Sequence, residues 1–211
     1  MQRTATNITW NATRVTWIGG LALILILLGT LGSSCNAQDA DAATTRNSVD
    51  TKAQVARGAY LVTVGGCNDC HTPWKMGATG PEPDMTRMLS GHPETYVITA
   101  PAEAPNGEWQ HAAVMGPTNT AFSGPWGVSF TANLTPDRNT GLGIWTEEMF
   151  IKTIRTGRHW GVSRPILPPM PWFNYRQMTD EDLKAVFAYL RSIPPVVNHV
   201  PDPIPPASVT N

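Results

Sequence analysis

Apolar side chains recur at helical spacing in three segments of the 211-residue chain. In the first segment, residues 51–64, Val55, Ala59 and Val62 fall on one face of a helix. The pair Gly65-Gly66 then interrupts the pattern, because glycine is a poor helix former and is common just after a helix ends. The sequence therefore predicts a helix that leads directly into residue 67.

The second and third helical segments carry start signals. Thr146 precedes two glutamates, so its hydroxyl can cap a helix whose first turn is acidic, and Gly157 ends that helix. Thr179 and Asp182 have the spacing of a capping box. The apolar face that follows consists of Leu183, Val186, Phe187 and Leu190.

Residues 72–130 show no sustained periodicity. Proline, glycine and small polar residues recur there, and the whole chain has 19 prolines and 18 glycines. Such a composition favours ordered loops over a continuous helical bundle. We therefore expect a long, loop-rich insertion with room for one small hairpin.

The N-terminal part differs from the rest. Residues 17–31 are almost wholly apolar, and the residues before them include Arg3 and Arg14 but no acidic residue. A basic flank before an apolar core is typical of an export signal, and the core is short for a membrane span of about 20 residues. The sequence thus divides into an export signal or anchor (1–35), a flexible tether (36–50), one domain (51–195) and a Pro-rich tail (196–211).

Cys35 stands at the end of the export segment, and three fates are open to it. With Ser33-Ser34 before it, the cysteine resembles the acylated residue of a bacterial lipoprotein, although Gly32 stands where a leucine is usual. Cleavage after Ala37 would instead release a protein without Cys35, and no cleavage would leave an N-terminal anchor. We favour lipidation, because an unpaired cysteine at this place has no other evident role.

Charge narrows the range of partners. The net charge is −1, only 15% of the residues are charged, and there is no basic run. We therefore expect no nucleic-acid partner. The export signal separately favours a location on the periplasmic side of a bacterial membrane.

The stretch Cys67-Asn68-Asp69-Cys70-His71 carries the most specific chemical signal. The spacing C-x-x-C-H is that of c-type haem attachment, in which both cysteines form thioethers and the histidine ligates the iron. A structural zinc site needs two further ligands, and Cys35 is the only other cysteine. A redox dithiol is expected beside a βαβ pattern, which the sequence lacks. The motif therefore predicts one covalent haem c.

Met170 is the predicted sixth ligand of the iron. It stands among four prolines between Arg164 and Trp172, and a backbone fixed by proline leaves the thioether free to project. The alternative is that Met170 merely packs in the interior. Other side chains that can ligate iron lie in the insertion, where packing or surface positions are their more common role: Met76, Met85, Met88, His92, His111 and Met115.

Further residues are expected around the haem. Trp172 and Tyr175 can form part of an apolar wall that excludes water. Arg158 and Arg164 can pair with a haem propionate, because a guanidinium matches a carboxylate in bidentate geometry. Solvation at the surface is the alternative for both arginines.

Together these stretches resemble class I c-type cytochromes, and more closely the haem domains in cytochrome subunits of bacterial membrane-bound alcohol and gluconate dehydrogenases. The matching residues are 57–61, 67–71, 133–137, 141–145, 167–172 and 179–192. The resemblance implies an all-α class I cytochrome c fold whose first and last helices cross near Gly58 and Tyr189. It also implies His71 and Met170 as axial ligands. Those subunits usually string several haem domains together, whereas this chain has one C-x-x-C-H.

The expected function is one-electron transfer between redox proteins, with a dehydrogenase as donor and an oxidase or another cytochrome as acceptor. The chain would be a carrier or the electron-transfer subunit of a larger complex, and not an enzyme by itself. The alternative is a catalytic or ligand-sensing haem protein with a labile sixth site. In that case His92 or His111 would act as an acid or base.

Overall fold

The computed structural model describes residues 37–101 and 114–206. Within them the α-helices are α1 (Ala37–Val64), α2 (Cys67–His71), α3 (Glu147–Thr156), α4 (Trp172–Tyr175) and α5 (Asp180–Ser192). The strands are β1 (Trp74–Met76), β2 (Pro81–Pro83), β3 (Val114–Met115), β4 (Ala121–Gly124) and β5 (Gly127–Phe130). Short 3₁₀ helices cover Met85–Arg87 and His159–Gly161.

The expectation of an all-α class I cytochrome c fold is wrong, because the chain is mixed α and β. Strands β1 and β2 form a two-stranded antiparallel sheet, and β3, β4 and β5 form a three-stranded antiparallel sheet. Both sheets lie within the insertion, residues 72–130. Their strands have only two to four residues, and three consecutive residues of β4 are buried. Strands this short offer too few positions for an alternation of apolar and polar residues to be recognised in the sequence.

The two later amphipathic helices are confirmed. The hydroxyl of Thr146 accepts a hydrogen bond from the backbone N–H of Met149 (3.2 Å), and Gly157, with a φ of 64°, ends α3. The hydroxyl of Thr179 accepts one from the N–H of Asp182 (3.1 Å) at the start of α5. Helices α3 and α5 are therefore capped by the threonines that the sequence predicts.

Helices α1 and α5 cross at Gly58. A Cβ atom on Gly58 would overlap the carbonyl oxygen of Ala185 and lie 2.7 Å from the Cβ of Tyr189. Only glycine lets the two backbones approach this closely, and the crossing that the resemblance implied is confirmed. The apolar core around it consists of Val62, Leu89, Leu142, Phe150, Ile154, Leu183, Val186, Phe187, Leu190 and Ile193.

Helix α1 begins at Ala37 and so includes most of residues 36–50, for which the sequence predicts a flexible tether. Residues 37–50 contain no glycine or proline, and alanine is the strongest helix former, so helical propensity accounts for the difference. The predicted export segment, with Cys35, lies outside the described residues. In the part of the chain that the structure describes, no helix is both long and apolar enough to cross a membrane.

The described part of the Pro-rich tail, residues 196–206, packs along the insertion as an extended strap. Ile204 pairs with Val128 of β5 through two backbone hydrogen bonds of 2.8 and 3.0 Å. Asn198 is buried, and its Nδ2 donates to the carbonyl oxygens of Ser90 (2.7 Å) and His92 (2.8 Å). The tail is thus joined to the same insertion that contacts the motif helix α2.

Candidate functional site

The C-x-x-C-H motif forms a short helix of its own, α2. Gly66 precedes it with a φ of 66°, which glycine adopts without strain, and turns the chain out of α1. Cys67 and Cys70 lie one helical turn apart, and neither is in a disulfide. Burial raises the pKa of the Cys67 thiol to about 11, and burial followed by the charge of Asp69 raises the pKa of Cys70. Both thiols are therefore protonated at neutral pH, unlike the thiolate of a reactive redox dithiol.

The ring of His71 is buried and held in one orientation. Its Nδ1 lies 2.8 Å from the carbonyl oxygen of Ala132, and because a carbonyl can only accept, Nδ1 carries the proton. Nε2 forms no hydrogen bond within the described residues. Burial lowers the pKa of His71, so the imidazole is neutral at pH 7. A neutral imidazole whose Nδ1–H is bound to a backbone oxygen presents Nε2 as a metal ligand.

The insertion also holds the backbone of His71. The N–H of Gly91 donates to the carbonyl oxygen of His71 (2.8 Å). Gly91 has a φ of 76°, and a Cβ atom there would overlap the carbonyl of Thr131, so only glycine fits. Nearby, Leu89 is fully buried with a φ of 59°, which is uncommon for a leucine. The insertion at Gly91 therefore fixes the backbone of His71, and the segment directly after the insertion, at Ala132, fixes its ring.

Tyr175 joins α4 to the turn before α2. Its hydroxyl donates to the carbonyl oxygen of Gly65 at 2.5 Å. Burial, and next the neighbouring Cys67, raise the pKa of Tyr175, so the phenol keeps the proton that it donates. Because Tyr175 follows Met170 by only five residues, the loop that carries Met170 ends beside the motif.

The loop of Met170 has few backbone hydrogen bonds of its own. Four of the residues 165–171 are prolines, which lack an N–H. The loop is held where the N–H of Trp172 donates to the carbonyl of Met170 (2.9 Å) and where the hydroxyl of Ser129 donates to the carbonyl of Pro168 (2.5 Å). Met170 is partly buried, and among the described residues it is not one of those that form or cover the apolar core. Its thioether is therefore not committed to core packing.

The other residues predicted around the haem lie near the end of α3. The indole of Trp172 covers Gly157, where a Cβ atom would be 2.6 Å from Cζ2, and Arg176 lies 5.8 Å from the indole centroid. Arg158 and Arg164 are exposed, and Arg158 donates to a backbone carbonyl of its own loop (2.8 Å). Neither arginine forms an ion pair with a carboxylate within residues 37–101 and 114–206. The roles predicted for Trp172, Arg158 and Arg164 stay predictions.

The remaining candidate iron ligands have other surroundings. His92 is fully buried, with Nδ1 2.9 Å from the hydroxyl of Thr120 and Nε2 2.8 Å from the carbonyl oxygen of Tyr96, so both ring nitrogens are engaged. Met88 packs against the core, and His111 lies outside the described residues. The mostly exposed methionines are Met76, Met85 and Met115. The described residues also contain no group of three or more His, Cys, Asp or Glu side chains suited to a metal ion.

Sequence reasoning missed the polar contacts by which the insertion holds the site. Asn119, with a φ of 53°, donates from Nδ2 to the carbonyl of Asp69 in α2 at 2.5 Å, and Ser129 donates to Pro168. The partners are 50 and 39 residues apart along the chain. No local sequence pattern identifies such pairs. The one local signal is that asparagine tolerates the left-handed backbone conformation better than most residues.

No family model matches the chain. The chain is 27% identical over 136 residues to the fructose dehydrogenase cytochrome subunit of Gluconobacter japonicus, which covers 64% of the chain and 20% of that protein. It is 26% identical over 179 residues to the gluconate 2-dehydrogenase cytochrome c subunit of Pantoea cypripedii, covering 83% and 29% respectively. It is 25% identical over 186 residues to the cytochrome c subunit of alcohol dehydrogenase (quinone) from Gluconobacter oxydans, covering 86% and 29%.

These relatives are longer than the chain, which spans less than a third of the length of each, from 20% to 29%. All three are cytochrome subunits of dehydrogenases by name. The resemblance found in the sequence is thereby confirmed. Over most of its length, this chain is similar to cytochrome c subunits of dehydrogenases.

Proposed function

We propose that this chain is a one-electron transfer module that carries one covalent haem c. Cys67 and Cys70 would hold the group through thioethers, and Nε2 of His71 would ligate the iron. Bound haem supplies the Fe(III)/Fe(II) couple. The observation that carries the proposal is the fixed ring of His71, whose Nε2 has no hydrogen bond to any described residue. His71 directly follows two cysteines on one helical turn, neither of them in a disulfide. This donor set fits a c-type haem, and the described residues contain no group of three or more His, Cys, Asp or Glu side chains such as a structural zinc site needs.

The proposed ligand on the other side of the iron is Met170. In support, its side chain is not among the described residues that form or cover the apolar core, and Tyr175 brings the end of its loop beside the turn that precedes Cys67. Histidine and methionine together favour the reduced iron and raise the potential. This pairing suits an electron carrier better than a site that must bind oxygen or a substrate.

The chain's own residues support this role in three ways. The carbonyl of Ala132 fixes the tautomer of His71 and raises the basicity of Nε2 toward a metal. Arg158 and Arg164, which lack a carboxylate partner in the described parts of the chain, would compensate propionate charge at the edge of the site. Trp172 would contribute to the apolar wall.

We also propose that the partners are redox proteins on the periplasmic side of a bacterial membrane. The donor would be the catalytic subunit of a dehydrogenase, and the acceptor an oxidase or another cytochrome. The names of the relatives support a place in dehydrogenase-linked electron transfer without catalysis by this chain itself. Lipidation of Cys35 would anchor the module to the membrane surface.

The test is a visible spectrum of the full chain, exported in a bacterium that attaches c-type haem, recorded oxidised and reduced, with and without carbon monoxide. We expect sharp c-type bands that survive organic extraction of the haem, a weak charge-transfer band at the red end in the oxidised state, and no response to carbon monoxide. The double variant Cys67→Ser, Cys70→Ser is the control and should release its haem on extraction. Absence of haem from the unmodified chain would overturn the proposal.

A response of the unmodified chain to carbon monoxide would instead support a ligand-sensing or catalytic haem protein. The described residues do not favour that alternative. His92, one of the two candidate acids or bases, has both ring nitrogens engaged with Thr120 and Tyr96 in the interior.

A further inference from the structure

The β4–β5 hairpin of the insertion contacts the Met170 loop through one buried serine. The hydroxyl of Ser129, which is 8% exposed, donates to the carbonyl of Pro168 at 2.5 Å. The indole N–H of Trp126 donates in turn to the hydroxyl of Ser129 (3.3 Å). The carbonyl of Phe122 also lies 3.3 Å away, but a hydroxyl has one proton and Pro168 is the nearer acceptor. The result is a short chain of hydrogen bonds from Trp126 through Ser129 to the loop.

The composition of the loop makes this contact important. Apart from the bond of Ser129, the N–H of Ile166 donates to the carbonyl of Gly157 (2.8 Å), and the N–H of Trp172 donates to the carbonyl of Met170 (2.9 Å). Between these two points, prolines have removed most of the donors by which a loop normally fastens itself. Within the described residues, the bond from Ser129 is the one hydrogen bond that joins residues 167–169 to the rest of the chain.

The same strand leads to the other proposed ligand. Three residues after Ser129, the carbonyl of Ala132 accepts the Nδ1–H of His71. One short stretch of backbone therefore contacts the segments of both proposed axial ligands, with Ser129 facing the Met170 loop and Ala132 facing His71. Because Ser129 and Ala132 are only three residues apart, this stretch fixes the distance between the Met170 loop and the segment of His71.

We infer that Ser129 is a positioning residue for Met170, and that the insertion acts as the brace that keeps the thioether at the iron. The inference rests on the proposed function, since it concerns the same site. The bond between iron and a thioether is weak and is readily replaced by a stronger donor. The free energy that holds the loop in place therefore adds directly to the stability of methionine ligation.

The experiment measures competition for the sixth position in the haem-loaded ferric protein, by titration with imidazole while the red-end charge-transfer band is followed. In Ser129→Ala we expect the haem content to be unchanged and the affinity for imidazole to rise by about three- to tenfold, the range that loss of one net hydrogen bond gives. Ser192→Ala is the matched control, because its exposed hydroxyl donates to the Tyr189 carbonyl within α5. It should titrate like the unmodified protein.

Trp126→Phe provides a second variant if Ser129→Ala does not fold. It keeps the Ser129 hydroxyl but removes the N–H that polarises it, so a smaller rise of about twofold to threefold is expected. An unchanged imidazole affinity in the folded Ser129→Ala protein, or in Trp126→Phe alone where the alanine variant is not obtained, would overturn the inference. Failure of the proposed function is distinguishable, because the unmodified chain would then lack haem or the charge-transfer band.

Discussion

His71 and Met170 differ in how firmly the chain holds them. The carbonyl of His71 accepts a hydrogen bond from the N–H of Gly91, and its ring donates one to the carbonyl of Ala132; both bonds are 2.8 Å long. The side chain of Met170 lies outside the apolar core, and its proline-rich loop is attached mainly through Ser129. Of the two proposed ligands, the methionine is therefore the one that a small change in the protein would displace.

Replacing the thioether should change the potential. In Met170→Ala we expect the reduction potential to fall by on the order of 0.1 V, a fraction of the roughly 0.8 V that axial ligands span, because water does not favour Fe(II) as a thioether does. The charge-transfer band should disappear, and the reduced protein should bind carbon monoxide. Met85→Ala, at a side chain that is 57% exposed, is the control and should keep both properties. An unchanged potential and spectrum in Met170→Ala would exclude the ligand role.

His92 should make the stability of the protein depend on pH below neutrality. Burial lowers its pKa, the charge of Arg87 adds to this, and the hydrogen bond to the carbonyl of Tyr96 opposes it. In the unfolded chain the ring binds a proton near pH 6.5, whereas in the folded protein it binds one only at a lower pH. The unfolded state then binds more protons, so the free energy of unfolding falls as the pH decreases, by up to about 1.4 kcal/mol per pH unit.

The measurement is urea unfolding of the haem-loaded protein between pH 7 and pH 5. His92→Gln should be less stable than the unmodified protein at pH 7 but should lose less stability on acidification. His199→Gln changes an exposed histidine and should leave the pH dependence as it was. Equal slopes in the unmodified protein and in His92→Gln would show that another group is responsible.

At the scale of elements, local signals account for the helices and not for the sheets. Thr146, Gly157 and Thr179 mark helix ends through bonds to residues three or four positions away, so the sequence contains the whole signal. The strands of the insertion instead depend on partners across turns and on the tail, as Val128 does on Ile204. For the same reason, the C-x-x-C-H motif could be recognised in the sequence, whereas the contact of Ser129 with Pro168 could not.

The crossing of α1 and α5 depends on the absence of a side chain at one position. Gly58→Ala would place a methyl group against the carbonyl of Ala185, so the two helices must separate and the core around Val62 must loosen. We expect a loss of about 1–3 kcal/mol in the free energy of unfolding, even though alanine favours the helix itself. Ala56→Leu adds a larger side chain on the exposed face of α1 and should change stability by less than about 0.5 kcal/mol. A Gly58→Ala protein as stable as the unmodified one would rule out this close contact.

At the scale of the whole molecule, the insertion connects the motif helix α2, the loop of Met170 and the C-terminal strap. It contacts α2 through Asn119, the segment of Met170 through Ser129, and the C-terminal strap through Val128. An insertion with these contacts helps to form the proposed site. A peripheral surface loop would instead leave the site to the helices alone. It also accounts for the difference between this mixed fold and the all-α arrangement that the resemblance implied.

The strap should therefore be part of the cooperative structure, and Asn198 tests this. Its side chain is 1% exposed, donates to the carbonyls of Ser90 and His92, and accepts from the N–H of Glu94 (3.0 Å). Asn198→Ala would leave three backbone groups without partners, at about 1–3 kcal/mol for each that remains buried, so we expect a loss of about 3 kcal/mol in the free energy of unfolding.

Asn174→Ala, at an exposed asparagine, is the matched control and should cost less than about 0.5 kcal/mol. The charge-transfer band of Asn198→Ala at pH 7 should match that of the unmodified protein, since the hydrogen bond from Ser129 to Pro168 is not altered. A large loss of stability with an intact band would show that the strap belongs to the cooperative structure but does not affect the ligation of the iron. If Asn198→Ala were as stable as Asn174→Ala, the strap would be an appendage, and the insertion would have to be stabilised by its sheets and by its contacts with α2.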